Sequence, residues 1–320
     1  MITFLGDIAL LKPGISSQYK PDGDYMANFE YVCIDSALQP TPGKINIASP
    51  YNDFRSIFGC QPFALSVANN HILDFGLEGF ERTVCAIEDK GISTVGNRVC
   101  WYNDDVCILA YTLFCGEWNG QDIVQFSKNK VKKEIEEARN KGARCIIVNM
   151  HWGIENYSLP DKEQIELGHW LIDNGVDIVI GHHPHCIQPV EEYKGHYIFY
   201  SLGNCIFPSF NVPSHFDERG VAHRKYRFKW RSWNNKGIAV KYDETSNKLI
   251  AIDELYFENN VLKCTRHNVS VTKYIFMNRQ NIRFAKIRFA FRKYWLFFVS
   301  NSFVDGKIFD FNALKSELRK

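Results

Sequence analysis

Four apolar, strand-like runs in this chain each end on a residue type that can bind a metal. That recurrence constrains the fold more than any other feature. Thr3-Phe4-Leu5 passes through Gly6 into Asp7. Residues 63–67 lead into Asn70-His71, 145–150 into His151, and 177–180 through Gly181 into His182-His183-Pro184-His185. Short apolar runs of this length read as buried strands. Further strands are expected at 44–48, 106–112 and 196–200. Helical spacing falls between them: Leu77, Phe80, Val84 and Ile87 recur on one face before Gly91, 128–141 reads as an exposed charged helix, and 161–174 runs from Asp161 to just before Gly175. Strands alternating with helices predict an α/β domain with a substantial sheet. In such sheets ligands bind at the C-terminal ends of strands.

The residue types at those ends specify a chemistry. Alternate positions at a strand-to-loop transition can aim two imidazoles at one point, so His183 and His185 are paired as ligands. His151 and the Asn70-His71 pair repeat the pattern, and Gly6 lets the backbone approach closely beside Asp7. Carboxylate, amide and imidazole together suit one or two divalent ions such as Mn, Zn or Fe. Two such ions about 3.5–4 Å apart activate water and clamp a phosphate. Asp7, Asn70 and His71 are the catalytic candidates, with His71 acting on the leaving group.

Bulk composition excludes several classes. In 320 residues, 38 basic against 36 acidic side chains give a net charge of +2, which argues against a nucleic-acid partner. No apolar stretch approaches a membrane span, and no secretory signal is expected at the N-terminus. The 10 cysteines are scattered with no Cys-x-x-Cys pair, so they are expected to be reduced thiols in a cytoplasmic protein rather than a zinc ribbon.

Two segments break the α/β rhythm. Residues 208–235 carry Pro208, Pro213, His215, His223 and several arginines without a period, and are expected to form an irregular insertion. Arg219, Arg224, Arg227 and Arg231 could bind an anionic substrate there, or simply be solvated. Strands are expected at 237–242, 248–257 and 260–265, with a turn at Asn259-Asn260. A domain of residues 1–270 is therefore expected, followed by a basic, aromatic helical extension over 271–320. In 278–299, Phe284, Ile287, Phe291, Tyr294 and Phe298 would form one stripe flanked by Arg and Lys. That layout suits peripheral contact with an anionic membrane at its inner face. The alternative is a helix docked on the domain with snorkelling basic stems.

The order of motifs resembles a known family. Gly6-Asp7, Asn28-Phe29-Glu30, Ala68-Asn69-Asn70-His71 with Asp74-Phe75-Gly76, His151-Trp152-Gly153-Ile154-Glu155, Gly181-His182-His183-Pro184-His185 and Tyr200-Ser201-Leu202-Gly203-Asn204 are similar to those of the CapA-type bacterial capsule-synthesis proteins. The resemblance covers roughly residues 1–207. It implies a calcineurin-like metallophosphatase sandwich, two sheets flanked by helices in four layers. It also implies Asp7, Glu30, Asn70, His71, His151, His183 and His185 as metal ligands. Asn28 and Asn204 then become substrate contacts or supports for the ligands. Gly6-Asp7 is followed by Ile8-Ala9 rather than by a histidine two residues on, so the first metal is expected to be held less tightly.

The remaining motif residues have competing roles. Asp74 and Glu155 could each orient a ligand histidine through its second ring nitrogen, or be solvated loop carboxylates. Trp152 could stack on substrate but is expected in the core, and His182 is either a further ligand or a turn residue. The leading functional reading is a metal-dependent hydrolase acting on an anionic or polymeric cell-surface precursor in capsule, surface-polysaccharide or poly-γ-glutamate synthesis. The alternative is a non-hydrolytic metal-binding component of the polymer assembly or export machine.

Overall fold

The computed structural model describes residues 1–34, 38–114 and 124–274. Strand Val106–Thr112 shows why the apolar runs are continuous rather than alternating: all seven residues are buried. Val106, Ile108 and Ala110 belong to a core shared by two sheets, whereas Cys107, Leu109 and Tyr111 belong to a second core under helices. A strand covered on both faces needs apolar residues at every position. The same division holds along Cys145–His151 and Ile178–His182.

One sheet of six strands runs in the order Val190–Tyr193, His196–Phe199, Ile178–His182, Cys145–His151, Val106–Thr112 and Cys100–Tyr102. Its central pairs are parallel. The other sheet, of nine strands, carries Ile2–Ile8 at its centre. Asp24–Phe29, Ala64–Ser66 and Ser93–Val95 lie to one side; Lys236–Asp243, Lys248–Glu258, Val261–Val269 and Ser16–Ser17 lie to the other. Asn204–Ile206 pairs with Ile2–Ile8 alongside Asp7. Helices Lys128–Asn140 and Lys162–Asp173 cover the six-stranded sheet with Val131, Ile135, Leu167 and Leu171. Helices Phe54–Phe58 and Gly76–Glu88 bury Phe54, Phe58, Phe80, Val84 and Ile87 in the other core. The result is the expected α/β sandwich of two sheets flanked by helices.

Local signals explain the helix ends. Asp161 caps Lys162–Asp173: its carboxylate accepts from Gln164 N at 2.8 Å, and the Gln164 side chain accepts from Asp161 N at 3.0 Å. At Asn259 and Asn260, φ values of 51° and 62° form the tight turn between the last two strands.

Two expectations are corrected. Residues 44–48 do not form a full strand; only Ala48–Ser49 and an isolated bridge at Ile45 do. Ile47 N donates instead to the Asp74 carboxylate at 2.6 Å, so a side chain takes the place of a ladder partner. Residues 208–235 are not irregular. Phe210–Phe216 and Ala222–Phe228 form an antiparallel hairpin that turns at Asp217–Gly220, where the Asp217 carboxylate accepts from Arg219 N and Val221 N, both at 2.9 Å. The second strand is largely exposed, so no hydrophobic alternation marks it.

No helix among the described residues is long and apolar enough to cross a membrane. No disulfide joins the described cysteines. The basic stretch 278–299 lies outside the described residues.

Candidate metal centre

Sheet register assembles the polar strand ends. Asp7 lies opposite Asn28 on one neighbouring strand and opposite Asn204 on the other. In the second sheet His151 lies opposite His182. Gly6 is required here: a Cβ at that position would sit 2.0 Å from the Gly203 carbonyl oxygen, the atom that accepts from Asp7 N at 3.0 Å. His183 and His185 have φ of 94° and 53°, a left-handed backbone unusual for non-glycine residues. Such conformations cost on the order of 1–3 kcal/mol each and cluster at functional sites. They turn two imidazoles back toward the sheet ends.

The side chains converge where the two sheets meet. Two triads, Asp7–Glu30–His151 and Glu30–His183–His185, each place one ligand atom per residue within 4.8 Å of the others, and Glu30 belongs to both. Asn28 Nδ2 donates to Asp7 Oδ1 at 2.9 Å and to Glu30 Oε2 at 3.1 Å. His185 Nδ1 stands 3.2 Å from Asp7 Oδ2, and its Nε2 stands 3.3 Å from Glu30 Oε1. Asn70 Oδ1 lies 2.8 Å from His151 Nε2, so amide and imidazole face each other. Glu30 Oε1 faces only imidazole nitrogens, His185 Nε2 at 3.3 Å and His151 Nε2 at 3.8 Å, and His183 Nδ1 is buried without a hydrogen-bond partner. Native folds rarely leave such a nitrogen unpaired, and a cation at this position accounts for it.

Electrostatics separates the groups. Burial would raise the Asp7 carboxyl, but hydrogen bonds and charge from His182 and His185 outweigh it and hold Asp7 well below the usual carboxylate range. Burial, with the neighbouring Asp7 charge, pushes Glu30 up against the opposing pull of His185. His183 is driven down to about 3 by burial and by the charge on His185, and burial likewise lowers His151. Both are therefore neutral imidazoles at neutral pH, the form that ligates metal. His185 goes the other way: Glu30 and Asp7 outweigh its burial and raise it.

The remaining predicted residues take distinct places. His71 is in neither triad. Its Nδ1 is 2.7 Å from Asp74 Oδ2, and Lys44 Nζ holds the other Asp74 oxygen at 2.5 Å. Asp74 thus orients His71 rather than a metal-ligating histidine. His182 ends a strand rather than lying in the turn, with Nδ1 at 2.9 Å from Asp7 Oδ1 and Nε2 at 3.3 Å from Asn149 Oδ1. Asp7 engages one ring nitrogen and Asn149 the other. Asn204 Oδ1 lies 2.9 Å from His185 Nδ1 and steadies that ring. Trp152 contacts no substrate space; it follows His151, points to the opposite face, and is fully buried under the helices with Nε1 donating to Tyr200 O at 2.9 Å. Glu155 is exposed, and among the described residues no hydrogen bond joins it to a histidine, so it orients no ligand.

Beside the triads lies a cleft of about 220 Å³, lined by Asn70, His71 and His185 on one side and by hairpin aromatics on the other. Larger grooves of about 560 and 830 Å³ occur elsewhere, but neither holds a ligand triad, and the donor set places the site. Several participants escape sequence reasoning. Lys44 also donates to Asn70 O at 2.7 Å, and Asn69 Oδ1 accepts from His71 N at 3.1 Å. Asn234 Nδ2 donates to His185 O at 2.8 Å. Only Asn69 carried a signal, its place beside Asn70 at a strand end.

Fold and site together define an α/β sandwich with a candidate divalent-metal centre where its two sheets meet. The family model described as bacterial capsule synthesis protein PGA_cap matches residues 2–100 and 102–209, and the chain belongs to that family. It is similar to the capsule biosynthesis protein CapA of Bacillus anthracis, 29% identical over 216 residues that make up 60% of this chain and 52% of that protein. It is also similar to the PGA biosynthesis protein CapA of Bacillus subtilis, 31% identical over 160 residues, 45% of this chain and 42% of that one. A probable polyglutamine synthesis accessory protein of Mycobacterium tuberculosis is 27% identical over 173 residues, covering 46% and 45%. The chain spans about half the length of these curated relatives.

Proposed function

We propose that this chain is a metal-dependent phosphoester hydrolase serving capsule or poly-glutamate biosynthesis. The observation that carries the reading is Glu30, a buried carboxylate shared by two ligand triads, with no ammonium or guanidinium group in either. A shared carboxylate suits a pair of divalent cations. Asp7, Glu30 and His151 would hold one, and Glu30, His183 and His185 the other, with Asn70 beside His151. Such cations lower the pKa of water and neutralise phosphate charge. His182 and His185 keep Asp7 ionised, and Asn28 holds it in place by donating to Oδ1. Asp74 accepts from His71 Nδ1, which leaves His71 Nε2 to deliver a proton to a leaving oxygen in the adjoining cleft. The names of the relatives supply the biosynthetic setting.

The test starts from full-length protein purified without chelator. About one to two transition-metal ions per chain are expected. Hydrolysis of an aryl phosphate should be lost on chelation and restored by Mn or Zn. Full metal occupancy with no turnover of an aryl phosphate or of an amide-linked glutamate polymer would overturn hydrolysis and favour a non-hydrolytic assembly component.

A further inference from the structure

The cleft has a second wall that metal chemistry does not use. Phe210, Tyr226 and Phe228 of the hairpin line it, together with Phe207 and Trp230. The Trp230 ring lies 4.9 Å from the ring of His185, so this wall begins at a metal-ligand candidate. Trp230 stands at 71° to Phe228 and at 80° to Phe207, while Phe210 and Phe228 are stacked at 5°. Trp230 is only 8% exposed, and its Nε1 is enclosed within the protein. Glu155 lines the same cleft, is exposed, and among the described residues forms no hydrogen bond or ion pair. Lys44, the cation in the lining, is already held by Asp74 and by Asn70 O.

Apolar rings beside one unused carboxylate, with no unpaired cation among the described lining residues, make a specific combination. We propose that this wall is a subsite for a neutral polyhydroxylated ring, a sugar residue borne by the phosphoester; the proposal rests on the hydrolytic reading for the phosphate alone. The C–H faces of a sugar pack on aromatic rings. A hydroxyl donates to the Glu155 carboxylate in a charge-assisted bond. With metal chelated, a polyanion would meet Glu155 with no free cation among the described lining residues to offset it. The cleft, at about 220 Å³, falls below the roughly 300–1,000 Å³ usual for drug-sized ligands and suits a single ring.

The full chain is titrated with methyl glycosides of glucose, galactose and N-acetylglucosamine, and with adenosine and triglutamate, by calorimetry and tryptophan fluorescence, with and without chelator. At least one glycoside should bind in both conditions, while adenosine and triglutamate should not. Glu155→Gln, at an exposed position, and Tyr226→Ala, which removes a half-buried ring from the exposed hairpin strand, should each weaken glycoside binding about tenfold. The subsite is overturned if no glycoside binds, if neither variant weakens binding, or if adenosine or triglutamate binds more tightly. Glucose 1-phosphate is then compared with ethyl phosphate. Glycoside binding without turnover of either phosphate sustains the subsite and overturns hydrolysis. Equal kcat/KM on both phosphates without glycoside binding does the reverse.

Discussion

The strand-end group around Glu30 and the mid-sheet group Asp253, Cys264 and His267 both bring ligand-type atoms within 4.8 Å of one another, yet they differ in what already fills them. At the second group, Lys241 Nζ sits 2.8 Å from Asp253 Oδ2, and Asn268 N donates to Asp253 Oδ1 at 2.8 Å. An ammonium ion already occupies the place of a cation. The His267 side chain is 65% exposed, and burial raises the Cys264 thiol away from its ligating thiolate form. Around Glu30 every member is buried, no lysine enters either triad, Glu30 Oε1 faces only imidazole nitrogens, and His183 Nδ1 lacks a hydrogen-bond partner. Proximity of ligand types is therefore a weak criterion. Unsatisfied lone pairs in a buried place without an ammonium ion are a much stronger one.

The largest expected effect tests that criterion directly. The double variant His183→Ala and His185→Ala should lose nearly all bound metal while remaining folded, since both residues lie beyond the strand on a connecting turn. Its thermal midpoint should then stop responding to added Mn, whereas the parent gains stability by mass action, about 4 kcal/mol at a thousandfold excess over Kd. Metal content unchanged by elemental analysis would break the comparison at its first term.

His71→Ala comes next and divides the strand-end region itself. Its Nδ1 is taken by Asp74, and it belongs to neither triad. Turnover of an aryl phosphate should fall about 10²–10⁴-fold with metal content unchanged. Metal loss in proportion to activity would make His71 a ligand and remove its proton-delivery role.

The sequence exposes one side of this comparison far better than the other, for physical reasons. Continuous apolar runs mark strands buried on both faces, and ligand types at their ends stand out because little else explains them there. Asp24–Phe29 is less visible: Asp-Tyr-Met-Ala-Asn-Phe holds no β-branched residue, yet its register puts Asn28 beside Asp7. Glu30 and Asn204 come into view only through the family's motif order. Lys44 and Asn234 act across long chain separations through single hydrogen bonds, which no local pattern announces. The hairpin is hidden because its second strand faces solvent with Arg and Lys, while the aromatics that line the cleft are spread over both strands and Trp230.

Lys241→Met probes what the ammonium ion does at the second group. Lys241 and Asp253 are both nearly inaccessible, so the variant strands a buried carboxylate. Breaking such a pair from one side costs about 3–5 kcal/mol, read as a lower denaturant midpoint. Excess zinc should recover part of that loss in the variant and leave the parent unchanged, because the vacated position then lies beside Asp253, Cys264 and His267. If zinc recovers nothing, the ammonium ion is not what distinguishes the two groups.

His267→Ala should do almost nothing, and that makes it the sharpest control. The ring is mostly exposed, 3.5 Å from Asp253 Oδ2 and 3.4 Å from Cys264 Sγ. Asp253 keeps Lys241 and Asn268 without it, so no buried charge is uncovered. Substitutions at such positions usually stay within about 0.5 kcal/mol. Metal stoichiometry should match the parent, since the ion is expected at Glu30 about a separate set of strands. A drop of one ion per chain would show that this group binds metal despite its lysine, and lone-pair satisfaction would then fail as the rule that tells the two regions apart.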